Sequence, residues 1–126
     1  MTCARVSLRP LSPQEELKVR EWCPHARGRM MALDMAGELV GAVGYLLEGG
    51  ECQVTTVVVA PHRRGWGIGS EGVRALEREL TAKGARLFWA RVPLDAGLAF
   101  YLWLRLGYRP AEVDSEGVIM MRPAGG

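Results

Sequence analysis

The chain has little lysine, little cysteine and no apolar run long enough to span a membrane. Each scarcity excludes something. Cys3, Cys23 and Cys52 are odd in number, far apart and without metal-ligand spacing. They read as reduced thiols in a cytoplasmic protein, and no metal is expected. The opening MTCARVSLRP lacks the apolar core and cleavage site of a signal peptide. A net charge of only +2 argues against nucleic acid as the partner, and nothing points to a membrane. Repeats, low-complexity tracts and linkers are absent. With 126 residues, 48% of them apolar, one domain over 1–126 can build its own core. Two lysines stand against fourteen arginines, a bias that GC-rich coding or a need for phosphate-binding forks would produce equally. The location of the arginines therefore matters more than their number.

The pattern along the chain reads as an α/β fold. ARVSLRPL alternates apolar and polar residues as a half-buried strand does. Ser12, Pro13 and Glu15 form a capping-box start for SPQEELKVREWC, which Pro24 stops. RMMALDMA and ELVGAVGYLLE flank a Gly37-Glu38 turn, and Gly49-Gly50 leads into the β-branched ECQVTTVVV. In GSEGVRALERELTAKG, Gly72, Val73, Leu76 and Leu80 make an apolar stripe, Glu71, Arg74, Glu77, Arg78 and Lys83 a polar face, and Gly84 the stop. ARLFWARV reads as a strand buried on both faces, and DAGLAFYLWLRLG as a helix closing at Gly107. YRPAEV and GVIMMRP form a last hairpin around Asp114-Ser115-Glu116. The order is β-α-β-β-β-α-β-α-β-β, a sheet of mixed direction.

VVVAPHRRGWGIGSEG, residues 57–72, packs four glycines and two adjacent arginines between a strand and a helix. A helix start leaves main-chain N–H groups unpaired and carries partial positive charge, and a glycine loop lets an anion reach them. Arg63 and Arg64 would add positive charge at the mouth. Micromolar affinity requires about 8 kcal/mol, more than such a cradle alone supplies, so the ligand should be gripped elsewhere too. A P-loop is excluded, because no lysine follows Gly67 or Gly69. Gly67-Ile-Gly69-Ser-Glu-Gly72 matches GxGxxG, but the stretch from Ala60 through Gly65 to Trp66 separates it from its strand and no acidic residue follows at the dinucleotide spacing. A purely structural glycine loop is the remaining bland reading.

Val57-Val58-Val59-Ala-Pro61-His-Arg-Arg64-Gly65-Trp66-Gly67-Ile68-Gly69 resembles the acyl-CoA signature of the GNAT superfamily of N-acetyltransferases, Arg/Gln-x-x-Gly-x-Gly/Ala. The element order extends the resemblance over essentially the whole chain, and Leu106-Gly107-Tyr108 stands where the family has Leu-Gly-Phe. The resemblance implies a mixed, mostly antiparallel central sheet flanked by helices, with acetyl-CoA as cosubstrate. It implies that amides from Arg64 to Ser70 bind the diphosphate. The pantetheine arm would pair with main-chain groups of Val57 and Val59, where strands Gln53–Val59 and Arg86–Val92 splay apart. The implied coenzyme set is Val57, Val58, Val59, Arg64, Gly65, Trp66, Gly67, Ile68, Gly69, Ser70 and Trp103. The reaction would be direct attack of a primary amine on the thioester.

Three departures qualify that reading. The family glutamate that takes the amine's proton falls at Gln53, so Glu51, two residues earlier and on the same face, is the candidate base, with Gln53 positioning a water or the acceptor. A solvated carboxylate beside Gly49-Gly50 is the plain alternative for Glu51. The family tyrosine that protonates the leaving thiolate falls at Trp103, and its asparagine at Ala96. About seventeen residues separate the first two strands, room for one helix where the family has two, so this first helical region is shortened. The acceptor cleft should therefore be open, suiting an amine-bearing small molecule or a protein or peptide acceptor. LAFYLWLRL is apolar around most of its circumference, which reads first as burial and second as a homodimer contact. The alternative function is a CoA-binding module, catalytically impaired and acting through protein contacts.

Overall fold

Ser12 caps the first helix as its spacing predicts: its hydroxyl accepts from Glu15 N–H, and the Glu15 carboxylate accepts from Ser12 N–H. In the computed structural model, which describes residues 5–125, this helix is one of three around a single sheet. Cys3, and Ala4 at the head of the first expected strand, lie outside the described residues. The elements are β1 (Ser7–Pro10), α1 (Pro13–Trp22), β2 (Arg29–Met35), β3 (Glu38–Glu48), β4 (Glu51–Val59), α2 (Ile68–Ala82), β5 (Leu87–Val92), α3 (Gly97–Arg105), β6 (Arg109–Asp114) and β7 (Gly117–Pro123). A single 3₁₀ turn, Pro61–Arg63, joins β4 to the glycine loop. The element order is the expected one.

The sheet runs β1-β2-β3-β4-β5-β7-β6, and every pairing is antiparallel except β4 with β5. A two-residue turn at Gly49-Gly50, with φ of +59° and +82°, closes β3 onto β4. Both α2 and α3 end on a left-handed glycine, Gly84 and Gly107, with the following N–H reaching back to Leu80 and Trp103.

The main core lies between the sheet and α2, where Val73, Leu76 and Leu80 meet Leu33, Val43, Phe88 and Met120. Gly72 is required by close approach: a Cβ there would stand 2.6 Å from Leu33 Cδ1. α1 covers the opposite face only over β3 and β4, through Val19, Ala42 and Val58. Two expectations change. Strand β5 is buried on one face only, Phe88, Ala90 and Val92, because no helix covers Leu87, Trp89 and Arg91 on the other. Within α3, Trp103 is buried and Ala99, Phe100, Leu102 and Leu104 pack partly buried against the core, whereas Leu98 is 91% exposed and Tyr101 60%, so burial accounts for most of the helix's apolar residues but not for those two.

The β2–β3 turn is formed by Ala36-Gly37, one residue earlier than expected, with Met35 opposite Glu38. Ala36 has φ of +53°, a conformation in which its Cβ crowds the carbonyl. Ala36→Gly should therefore stabilise the fold by about 1 kcal/mol, read as a higher urea midpoint at unchanged slope.

Candidate active site

Strand β4 changes face halfway along. Gly44 lies opposite Thr56 and Tyr45 opposite Val54, so Thr55 is an extra residue in β4. A one-residue bulge reverses the side-chain alternation beyond it. Before it, Cys52 and Val54 enter the α2 core, and Glu51 and Gln53 occupy the other face. After it, Val57 and Val59 turn toward α2, and Val58 goes under α1. The bulge is held from outside: Thr55 Oγ1 donates to the Arg27 carbonyl at 2.6 Å, and Thr56 Oγ1 accepts from Arg27 N–H at 3.1 Å.

The splay begins at the same place. β4 and β5 pair only from Glu51 to Gln53, opposite Leu87 to Trp89. Ala60 gives its N–H to the Val40 carbonyl, so the main-chain groups of Val57 and Val59, alternating with it, turn to the edge that β5 has left. There Arg64 Nε reaches the Val59 carbonyl at 3.3 Å. Val58 differs from its neighbours: its main chain turns to β3 and its side chain is buried, so it does not face this slot.

Above the slot sits the start of α2. Gly67 is its N-cap with φ of +78°, and Gly65 has φ of +86°. Glycine has no side chain with which to cap, and the first intrahelical bond runs from Glu71 N–H to Gly67 O at 3.1 Å. The N–H groups of Ile68, Gly69 and Ser70 therefore have no acceptor within the helix. The Ile68 side chain is buried, leaving only its amide on offer. A Cβ on Gly69 would meet Val57 Cγ1 at 3.4 Å, ordinary contact, so packing alone does not demand glycine there. Trp66 is 63% exposed on the loop.

Charge around this loop is arranged differently from expectation. Arg63 does not stand free at the mouth, because its guanidinium is bound to Glu38. His62 Nε2 shares the same carboxylate at 3.0 Å. Arg63, and then His62, hold the Glu38 carboxyl down to about 2. Arg5, which no sequence pattern had singled out, reaches Trp66 O at 2.7 Å and the Glu71 carboxylate at 2.8 Å.

On the opposite face, Glu51 and Gln53 line a groove of about 310 Å³ with Leu46, Glu48, Gly49 and Trp89. Among the described residues, those lining it all come from strands β3, β4 and β5 and the Gly49 turn. Arg91 lies over Trp89, 5.7 Å from the ring centroid, and bonds to Asp114 at 3.2 Å. Trp103, assigned to the coenzyme side by position, is a core residue whose ring packs edge-on against Tyr108 at 4.7 Å. Tyr108 in turn donates its hydroxyl to Glu77 at 2.7 Å. Glu77, read as part of a polar face, is 5% exposed and also accepts from Arg74 at 3.0 Å and Arg122 at 3.3 Å. Burial, then Glu77's charge, pushes the Tyr108 hydroxyl well above its usual range. The same two causes push the Cys52 thiol up to about 12, so it supplies no thiolate near neutrality. The nearness of Glu77 to Tyr108 had no local signature, since 31 residues separate them.

The model of the acetyltransferase (GNAT) family matches residues 3–108, so the chain belongs to that family. Among solved structures, the fold is similar to the ribosomal-protein-S18-alanine N-acetyltransferase of Escherichia coli, with TM-score 0.77 and 16% identity over 96% of this chain and 95% of that one. It is also similar to Naa50 of Arabidopsis thaliana, solved with the bisubstrate analogue CoA-Ac-MVNAL, with TM-score 0.73 and 14% identity over 94% and 98%. The PaiA N-acetyltransferase of Thermoplasma acidophilum, solved with coenzyme A, matches with TM-score 0.69 and 15% identity over 75% of this chain and 59% of its own. Among the described residues, no helix is long and apolar enough to cross a membrane.

The buried Tyr108–Glu77 bond joins the end of α3 to α2. Tyr108→Phe should cost about 1–3 kcal/mol, because it withdraws a donor from a buried carboxylate. Chemical denaturation checks this.

Proposed function

We propose that the chain is an acetyl-CoA-dependent N-acetyltransferase that transfers the acetyl group directly to a primary amine within a ternary complex. The observation that carries this reading is the coincidence, at one opening, of two sets of main-chain groups that no strand or helix partner takes up. These are the Val57 and Val59 main chain along the splayed edge of β4 and the free amides at the start of α2. An amide-bearing arm ending in a diphosphate matches both, the arm lying strand-like and the diphosphate meeting Ile68, Gly69 and Ser70 N–H. Arg64 lies at the slot's edge and would trade its bond to Val59 O for the ligand. The thioester end would then lie toward Gln53, where β4 and β5 rejoin.

The acceptor would enter from the uncovered face. An amine with a pKa near 10.4 is neutral in only about one molecule in a thousand at pH 7, so a base contributes about 10²–10⁴-fold. Glu51 is the carboxylate in that groove best placed to take the proton, through a water that Gln53 would hold. The buried, protonated Cys52 favours direct transfer over an acyl-enzyme through that thiol. The open groove suits an extended or macromolecular amine, a reading consistent with the peptide-bearing analogue on Naa50. We place the protein in the cytoplasm and treat residues 1–126 as one acetyltransferase domain with no metal. The exposed Leu98 and Tyr101 on α3 support a homodimer contact.

Gly69→Leu should weaken coenzyme A binding at least about tenfold in calorimetry, since a side chain there holds the phosphate off the amides. Its melting temperature should not fall, because φ at Gly69 is ordinary and leucine is the better helix former. Unchanged affinity would remove the cradle. Glu51→Gln should lower turnover about 10²-fold below pH 8, with the deficit shrinking as pH approaches the amine's own pKa. A deficit constant across pH would take Glu51 out of the mechanism. Coenzyme binding by wild type without thiol release on amine, peptide and polyamine panels would instead support the binding module suggested by Gln53, Ala96 and Trp103.

A further inference from the structure

We infer that Arg5 is a positioning residue of the diphosphate cradle: it clamps the Trp66 carbonyl and the Glu71 carboxylate from outside the loop, aiming the Gly67 amide and neutralising a charge that would repel phosphate. The inference rests on reading the start of α2 as the coenzyme's diphosphate site. Trp66 stands between two left-handed glycines, Gly65 and Gly67. Glycine restricts the backbone least, so nothing within the loop fixes the orientation of the Trp66–Gly67 peptide. Arg5 Nη2 donates to Trp66 O at 2.7 Å and would stand 3.8 Å from a Cβ on Gly67. In a trans peptide, C=O and N–H point in opposite directions. Holding the Trp66 carbonyl on the Arg5 side therefore turns the Gly67 N–H away from Arg5, toward the mouth of the cradle.

The second contact is electrostatic. Glu71 lies in the first turn of α2, where a carboxylate suits the helix dipole but opposes an incoming phosphate. Arg5 binds that carboxylate through Nε at 2.8 Å and through Nη2. A fork serving a carbonyl and a carboxylate together is an arginine property, and lysine cannot reproduce it. The clamp is itself anchored, since the next residue, Val6, is 2% exposed in the main core beneath α2. Exposed ion pairs add little to stability, so the contact can be removed without unfolding the chain.

Calorimetry with coenzyme A, with dephospho-coenzyme A, which keeps the diphosphate but lacks the 3′-phosphate, and with pantetheine, which lacks the diphosphate and the adenosine beyond it, separates the possibilities. Wild type should prefer both coenzymes strongly to pantetheine. Arg5→Ala should reduce that preference about tenfold, Arg5→Lys less, and Glu71→Gln placed in the Arg5→Ala chain should restore part of it. An Arg5→Ala chain that keeps the full preference for dephospho-coenzyme A, or loses affinity equally for all three ligands, overturns the inference. A wild-type chain that binds dephospho-coenzyme A and pantetheine alike overturns the cradle itself, and the inference with it.

Discussion

The bulge at Thr55 is the constraint on which the rest of the site depends. It makes one strand serve two faces of the sheet: Glu51 and Gln53 look onto the uncovered face, whereas Val57 and Val59 look toward α2. It also bends β4 away from β5 immediately beyond their last pair, Gln53 with Trp89. The bulge costs ladder bonds, and the Arg27 peptide replaces some of them through the hydroxyls of Thr55 and Thr56. Space for that peptide comes from missing side chains. A Cβ on Gly28 would stand 2.4 Å from Thr55 Oγ1, and one on Gly44 would stand 2.5 Å from the Arg27 carbonyl. The α1–β2 connection, remote in sequence, is thus part of what holds the bulge beside the slot.

What was legible in the sequence follows from how local each signal is. The capping box at Ser12, the glycine stops at Gly84 and Gly107, and the hairpins all depend on a few adjacent residues, and each forms where expected apart from the β2–β3 turn, which is one residue earlier. The glycine loop was legible for the same reason, since a left-handed N-cap needs Gly67 whatever surrounds it. The bulge was not. Val54-Thr55-Thr56-Val57 is a continuous β-branched run, and only the register against β3 shows that two of its residues share one partner position. Glu77 was misread because helical periodicity places it on a charged face, while three partners from 74, 108 and 122 make its burial tolerable. In α3 the core takes Trp103 and packs against Phe100 and Leu102, but Leu98 and Tyr101 stay exposed, a division that the nearly all-apolar sequence did not mark. Sequence shows that a surface is apolar, not what covers it.

The arginines around the loop resolve a question that composition had left open. Three lie near the cradle, yet none is simply an unpaired charge at its mouth. Arg5 is held by Glu71 and Trp66, Arg63 by Glu38, and Arg64 by the Val59 carbonyl. Exposed ion pairs of this kind contribute at most about 1 kcal/mol each to stability, so their consequence is chiefly geometric. Glu38 opens β3, and its bonds to His62 and Arg63 tie the 3₁₀ turn to the β2–β3 hairpin. Arg5 ties the far end of the loop to the segment entering β1. The glycine loop is therefore pinned at the 3₁₀ turn by Glu38 and at the Trp66 carbonyl by Arg5, with left-handed Gly65 between the two anchors. Fixed ends reduce the ordering entropy that binding must overcome, which is how a cradle of weak individual donors becomes useful. An excess of arginine over lysine suits that purpose, because Arg5 joins its guanidinium to a carboxylate and a carbonyl, and Arg63 sets two nitrogens on one carboxylate. In this fold, the positive charge shapes the loop, and the main-chain amides of Ile68, Gly69 and Ser70 are left without a helical acceptor.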